Sequence, residues 1–134
     1  MHPNAKAALE KVAGLLKDRG FVVARATLEI PDGTRELLVV DEETVVVHPK
    51  DKPALYRLRN ELRHGIRERT LEYYAERDWL VIVYEEDTGS VLLGAAPALY
   101  AASQPWVTAG AVEGADERVR FVPRAAFTVI ATGV

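Results

Sequence analysis

Residues 21–50 read FVVARATLEI PDGTRELLVV DEETVVVHPK, and this stretch decides the fold. Phe21 to Ile30 is β-branched and apolar enough for a strand. Pro31-Asp32-Gly33 supplies turn chemistry, because Pro fixes φ and Gly accepts positive φ. A second strand follows at Glu36–Val40, then a polar tip at Asp41-Glu42-Glu43, then Thr44-Val45-Val46-Val47. Three strands joined by such short turns most economically form an antiparallel meander.

Working outward, residues 4–19 carry Ala8, Leu9, Val12, Leu15 and Leu16 at helical spacing, with Asn4 as a cap and Gly20 as a stop. Beyond the meander, Pro49 and Pro53 interrupt the chain. From Pro53 the spacing of Leu55, Leu58, Leu62 and Ile66 predicts a second helix, with a break near Gly65 before Tyr73-Tyr74-Ala75. Trp79–Tyr84 is a nearly continuous apolar run and predicts a strand buried on both faces, hence central. Asp87-Thr88-Gly89 turns it into Ser90–Leu93. Pro97–Ser103 reads as a short helix, and Trp106–Val112, Arg118–Val122 and Phe127–Ala131 as strands. The fold class is α+β, in one domain spanning residues 1–134.

Composition excludes several classes. At 49% hydrophobic and 28% charged the chain is neither disordered nor fibrous. Cysteine is absent, so no disulfide framework, thiolate metal site or cysteine nucleophile exists. No apolar signal core follows Met1, and no uncharged run approaches the roughly 18 residues of a membrane span. The expectation is a soluble, cytoplasmic protein without a membrane partner. Asn occurs only at positions 4 and 60, Gln only at 104, and Arg outnumbers Lys 12 to 5. That composition is thermophile-like, and a GC-rich coding bias gives the same pattern.

The net charge of −3 is segregated: residues 1–49 carry −2, residues 50–69 carry +4 and residues 70–134 carry −5. Within the positive block Arg59, Arg63 and Arg67 recur every fourth residue, with Arg57 beside them. On the expected helix they form a stripe without acids four residues on, since Arg59, Arg63 and Arg67 are followed there by Arg63, Arg67 and Leu71. Guanidinium groups grip phosphate oxygens bidentately, so Arg57, Arg59, Arg63 and Arg67 are candidate DNA contacts, with Tyr73 and Tyr74 as stacking platforms. A solvated face, or pairing with acids of the C-terminal half, is the plainer reading of the same residues.

The element order helix, three-strand meander, helix, strand over roughly residues 5–85 is similar to the core of the PD-(D/E)xK nucleases, the restriction-endonuclease-like superfamily. In that family an acid on the second strand and a Glu-x-Lys on the third hold Mg²⁺ at the scissile phosphate, and some members add a Glu from the first helix. The resemblance implies catalytic roles for Glu36 and Lys50, and divalent metal ligation (Mg²⁺ or Mn²⁺) by Glu10, Asp32, Glu36 and His48. The sequence departs from the family pattern at one point. His48-Pro49-Lys50 stands where Glu-x-Lys is expected, and histidine is a poor Mg²⁺ ligand. A nuclease that binds DNA without cutting it fits this departure as well as an active one, in which case no cofactor is needed. The residues also read blandly: His48-Pro49-Lys50 as a strand exit, Glu10 as a solvated helix residue, and Glu36 with Arg35 as an outward pair.

Other constellations are thinner. Glu61-Leu62-Arg63-His64 has Glu-x-x-His spacing but lacks the further Glu-bearing helices such metal sites need. No glycine-rich phosphate loop or nucleophile elbow occurs. A second function class stays open: a non-enzymatic interaction or chaperone-like module, dimeric or bound to a protein partner. Its support is the acidic C-terminal half and the apolar Ala95–Trp106 stretch.

Overall fold

Helix α1 (Pro3–Asp18) buries Ala8, Leu9, Val12, Ala13 and Leu16 along one face and begins one residue before the expected cap at Asn4. It ends at Gly20 with φ +89°, where the Gly20 amide bonds the Lys17 carbonyl and the Phe21 amide the Leu16 carbonyl. Those two bonds form the paired closure of a left-handed helix terminus. The computed structural model describes residues 3–107 and 118–134. No helix among them is long and apolar enough to cross a membrane.

The meander forms as the sequence predicts. Strands β1 (Val23–Ile30), β2 (Gly33–Val40) and β3 (Glu43–Lys50) pair antiparallel in order. The first turn places Pro31-Asp32 between partners Ile30 and Gly33. The second has Asp41 at φ 47° and Glu42 at φ 72°, the two positive φ values of a turn whose twist matches its strands.

The helix expected from Pro53 through Ile66 does not form, which corrects the basic-helix reading. Instead β4 (Ala54–Tyr56) and β5 (Glu61–Arg67) pair as an antiparallel hairpin, joined through a 3₁₀ turn at Arg57–Arg59 and Asn60 at φ 49°. The leucines that suggested a helical stripe are exposed: Leu55 at 53%, Leu58 at 85% and Leu62 at 42%. The residues that alternate into the core are His64 and Ile66, a period of two in which one of the buried positions is a polar histidine. Helix α2 (Glu68–Glu76) begins only after β5 and buries Thr70, Leu71 and Tyr74.

Strand β6 (Leu80–Glu85) is central as expected, followed by β7 (Ser90–Ala95) and α3 (Ala96–Ala102). Next come β8 (Gln104–Val107), β9 (Arg118–Pro123), a 3₁₀ turn at Arg124–Ala126 and β10 (Thr128–Ala131). The strand expected at Trp106–Val112 lies, past Val107, outside the described residues. One sheet has the order β1-β2-β3-β6-β7-β10, with β3 and β6 parallel, and a second has β4-β5-β9-β8.

The six-stranded sheet is covered on both faces. Leu38, Val45, Val47, Ile82 and Tyr84 pack with α1. Leu37, Val46, Val81, Val83 and Leu92 pack with Leu71 and Tyr74 of α2, Leu99 of α3 and Ile66 and Val122 of the second sheet. Since alternate residues of a strand point to opposite faces, this division assigns every polar side chain along β2, β3 and β6 to a side.

Candidate functional site

The parallel pair β3/β6 ends in charge. Register sets His48 beside Val83 and Lys50 beside Glu85. His48 and Lys50 share the face of Val46, under α2, and Arg35 shares that of Leu37. There they meet Asp32 from the first turn and Ile66, Arg67 and Thr70 from the β5–α2 junction, around a polar cavity of about 240 Å³.

Each wall residue is held differently. Arg35 donates from Nη2 to Asp32 Oδ2 at 3.0 Å and from Nη1 to the Val47 carbonyl at 3.2 Å, while its Nε is buried with no hydrogen-bond partner among the described residues. His48, 7% exposed, has its Nε2 2.9 Å from the Tyr74 hydroxyl. Burial, then the nearby Arg35 and Lys50 charges, pushes its pKa well below the ordinary histidine value, so it is a neutral imidazole. Burial also lifts the Tyr74 hydroxyl above the usual tyrosine range, so that hydroxyl keeps its proton. Lys50 is half-buried, and no hydrogen bond or ion pair reaches its ammonium among the described residues. Burial, then Arg35 and Arg67, lowers its pKa against the opposing pull of Asp32. The Thr70 hydroxyl is 1% exposed and has no partner among the described residues.

Glu85 would be the natural mate of Lys50, but it is turned elsewhere. Its carboxylate takes Arg124 in a fork, Nε to Oε2 at 2.9 Å and Nη2 to Oε1 at 2.8 Å, and lies 2.6 Å from His64 Nε2. Burial alone would raise the Glu85 pKa; the hydrogen bonds from Arg124 and His64 overcome it and hold the carboxyl ionised. Burial keeps the His64 pKa below its ordinary value despite that partner.

Asp32, His48 and Lys50 are thus brought together, and Arg67 lies on the same rim. Glu36 is not with them. It faces the α1 side opposite Thr27 and pairs with Arg25 at 3.4 Å, so the sheet separates it from Lys50. Glu10 is exposed on α1, also across the sheet. The four expected metal ligands therefore do not converge, and no group of three His, Cys, Asp or Glu side chains that could hold a metal occurs among the described residues. The donors that do meet fit a hard cation poorly, because Asp32 is bound by Arg35 and His48 offers nitrogen already engaged with Tyr74.

The arginine stripe also dissolves with its helix. Arg57 and Arg59 are exposed on the hairpin turn. Arg63 is buried at 6%, its guanidinium 3.9 Å from the Tyr56 ring centre and 2.6 Å from Glu61. Tyr74 is fully buried, and Arg77 covers Tyr73 at 3.3 Å from its ring centre, so neither ring is open for stacking.

Arg35, Thr70 and the His64–Glu85–Arg124 set escaped the sequence reading. One signal was available for Glu85: it is the first charge at the end of a buried strand, as Lys50 is the first cation at the end of β3, and two such ends meet when the strands run parallel. No family model, curated protein or solved structure matches the chain.

Proposed function

We propose that this is a nucleic-acid-associated protein on a restriction-endonuclease-like core that keeps the phosphate-gripping half of the site and lacks the metal-holding half. One observation carries the reading: Arg35, Lys50 and Arg67 line a cavity in which Asp32, the one acid among its described lining residues, is bound by Arg35. A literal Pro31-Asp32 at the first turn and Lys50 at the end of β3 supply two of the family's expected groups in one place. A ligand there is an oxyanion, since ammonium and guanidinium groups are donors only.

Anisotropy of labelled single-stranded, duplex and branched DNA at two salt concentrations, with EDTA present, tests this. Binding should survive EDTA, fall steeply with salt, and weaken about tenfold in Lys50→Gln, the weight of one charge-assisted hydrogen bond. Binding that needs Mg²⁺, or is absent at low salt, contradicts it.

A second reading rests on the exposed Leu55, Leu58 and Leu62 of the β4–β5 hairpin, next to an apolar groove lined by Ala54, Tyr56, Arg63 and Phe121. A protein partner or second copy seated there would be insensitive to salt, so the same titration separates the two readings.

A further inference from the structure

The cavity at the end of β3 has a floor as well as charged walls. Thr70 and Ile66, exposed at 1% and 2%, close it from below together with His48 at 7%. Two of its lining residues carry a buried donor without a partner among the described residues: the Thr70 hydroxyl and Arg35 Nε. A buried hydroxyl left unsatisfied is costly, and the cost is removed when a ligand supplies the acceptor. Helix α2 opens on the same cavity, with Arg67 at its N-cap and Thr70 in its first turn. A guanidinium has no acceptor, so Arg67 cannot cap those first amides, and the helix end favours an anion.

We propose that this cavity binds one phosphate monoester, held by Lys50, Arg35, the Thr70 hydroxyl and the first-turn amides of α2. A backbone diester carries one negative charge and offers two free oxygens between two chain arms. A terminal phosphate carries about −1.5 to −2 and offers three. Lys50, with no hydrogen bond or ion pair to its ammonium among the described residues, and Arg35 beside it suit the larger charge, and the buried donors need an oxygen that reaches inward. At about 240 Å³ the space takes an oxyanion. The monoester has two sources, the phosphorylated end of a nucleic-acid strand or a free small phosphate. Only the first rests on the function proposed above.

The test uses oligonucleotides identical except for a 5′-phosphate, a 3′-phosphate or hydroxyl ends. They are read by anisotropy in EDTA, alongside calorimetry with inorganic phosphate. The variants are Lys50→Gln and Thr70→Val, the second of which keeps the shape and removes the hydroxyl. Expected is a preference of about tenfold or more for one phosphorylated end, competition by inorganic phosphate, and loss of both in either variant. Thr70→Val should melt no lower than the parent, because it deletes an unsatisfied buried group, which separates lost binding from lost folding. Equal binding of phosphate- and hydroxyl-ended strands overturns the monoester site and leaves nucleic-acid binding standing. Inorganic phosphate bound without any strand binding keeps the site and removes the strand as its source. If neither binds, both proposals fall.

Discussion

His48 is stored as a neutral imidazole, and that has a pH consequence. Its folded pKa lies well below the unfolded value of about 6.5, so between the two the unfolded chain binds the extra proton. Stability from this residue is therefore complete above about pH 6.5 and is lost as pH falls below it. His64 is lowered too and acts in the same direction, whereas Glu85, also lowered, contributes above its unfolded value near 4.5 and loses that only further down. Melting temperature should drop from pH 7.5 to pH 5, and drop less in His48→Gln, which keeps a hydrogen-bonding group for Tyr74. An equal drop in both proteins would show that His48 is not the titrating group. Arg124 supports Glu85, which is 1% exposed. Breaking a buried pair leaves a charge without its partner, so Arg124→Met should cost about 3 kcal/mol in urea unfolding, the low end because Arg124 is 30% exposed. Adding Glu85→Gln should recover part of that loss, and a double variant no more stable than Arg124→Met would refute the pairing as its cause.

At the scale of the element, the hairpin in place of a helix at 54–67 makes the sharpest distinction. Asn60 holds φ 49°, a conformation that costs a Cβ-bearing residue about 1 kcal/mol and glycine nothing. Asn60→Gly should match or exceed Asn60→Ala in stability; in a helix the order reverses, Ala being favoured by about 1 kcal/mol. Gly65 adds a second check, because a Cβ there would sit 2.9 Å from Val119 Cγ1 and 3.2 Å from Phe121 Cε1. Gly65→Ala should destabilise through β9 and not through any helix. The meander was legible because its turns carry their own chemistry at Pro31-Asp32-Gly33 and Asp41-Glu42. The hairpin was not, because its apolar side chains, Leu55, Leu58 and Leu62, point to solvent while His64 and Arg63 are buried by partners distant or polar. Local periodicity holds no information about Glu85 or Arg124.

Across the whole molecule, two charged networks divide one end of the central sheet. Arg124 and His64 occupy Glu85, and so Lys50, its neighbour on the parallel strand, is left to the cavity with Arg35 and Asp32. Of the site, His48 and Lys50 were legible as polar residues closing the third strand, Asp32 as a turn acid, and Arg67 only as one of a run of arginines on a helix that does not form. Their grouping away from Glu36 and Glu10 needed the sheet, whose two faces the sequence pattern leaves unassigned until α1 and α2 are placed. Burial, then Arg35 and Arg67, lowers the Lys50 pKa in the unliganded protein, so affinity for an anion should begin to fade at a lower pH than for an ordinary lysine site. Phosphate titrations between pH 7 and 10 would read that midpoint, and a midpoint at the ordinary lysine value would contradict the crowding of Lys50 by Arg35 and Arg67. The most direct test of the central claim, an oxyanion site without a metal site, is amide NMR of the labelled protein titrated with Mg²⁺ and then with inorganic phosphate. Phosphate should shift the amides of residues 48, 50 and 67–70 while Mg²⁺ alone leaves them in place. Shifts there on Mg²⁺ alone, or none on phosphate, would contradict it.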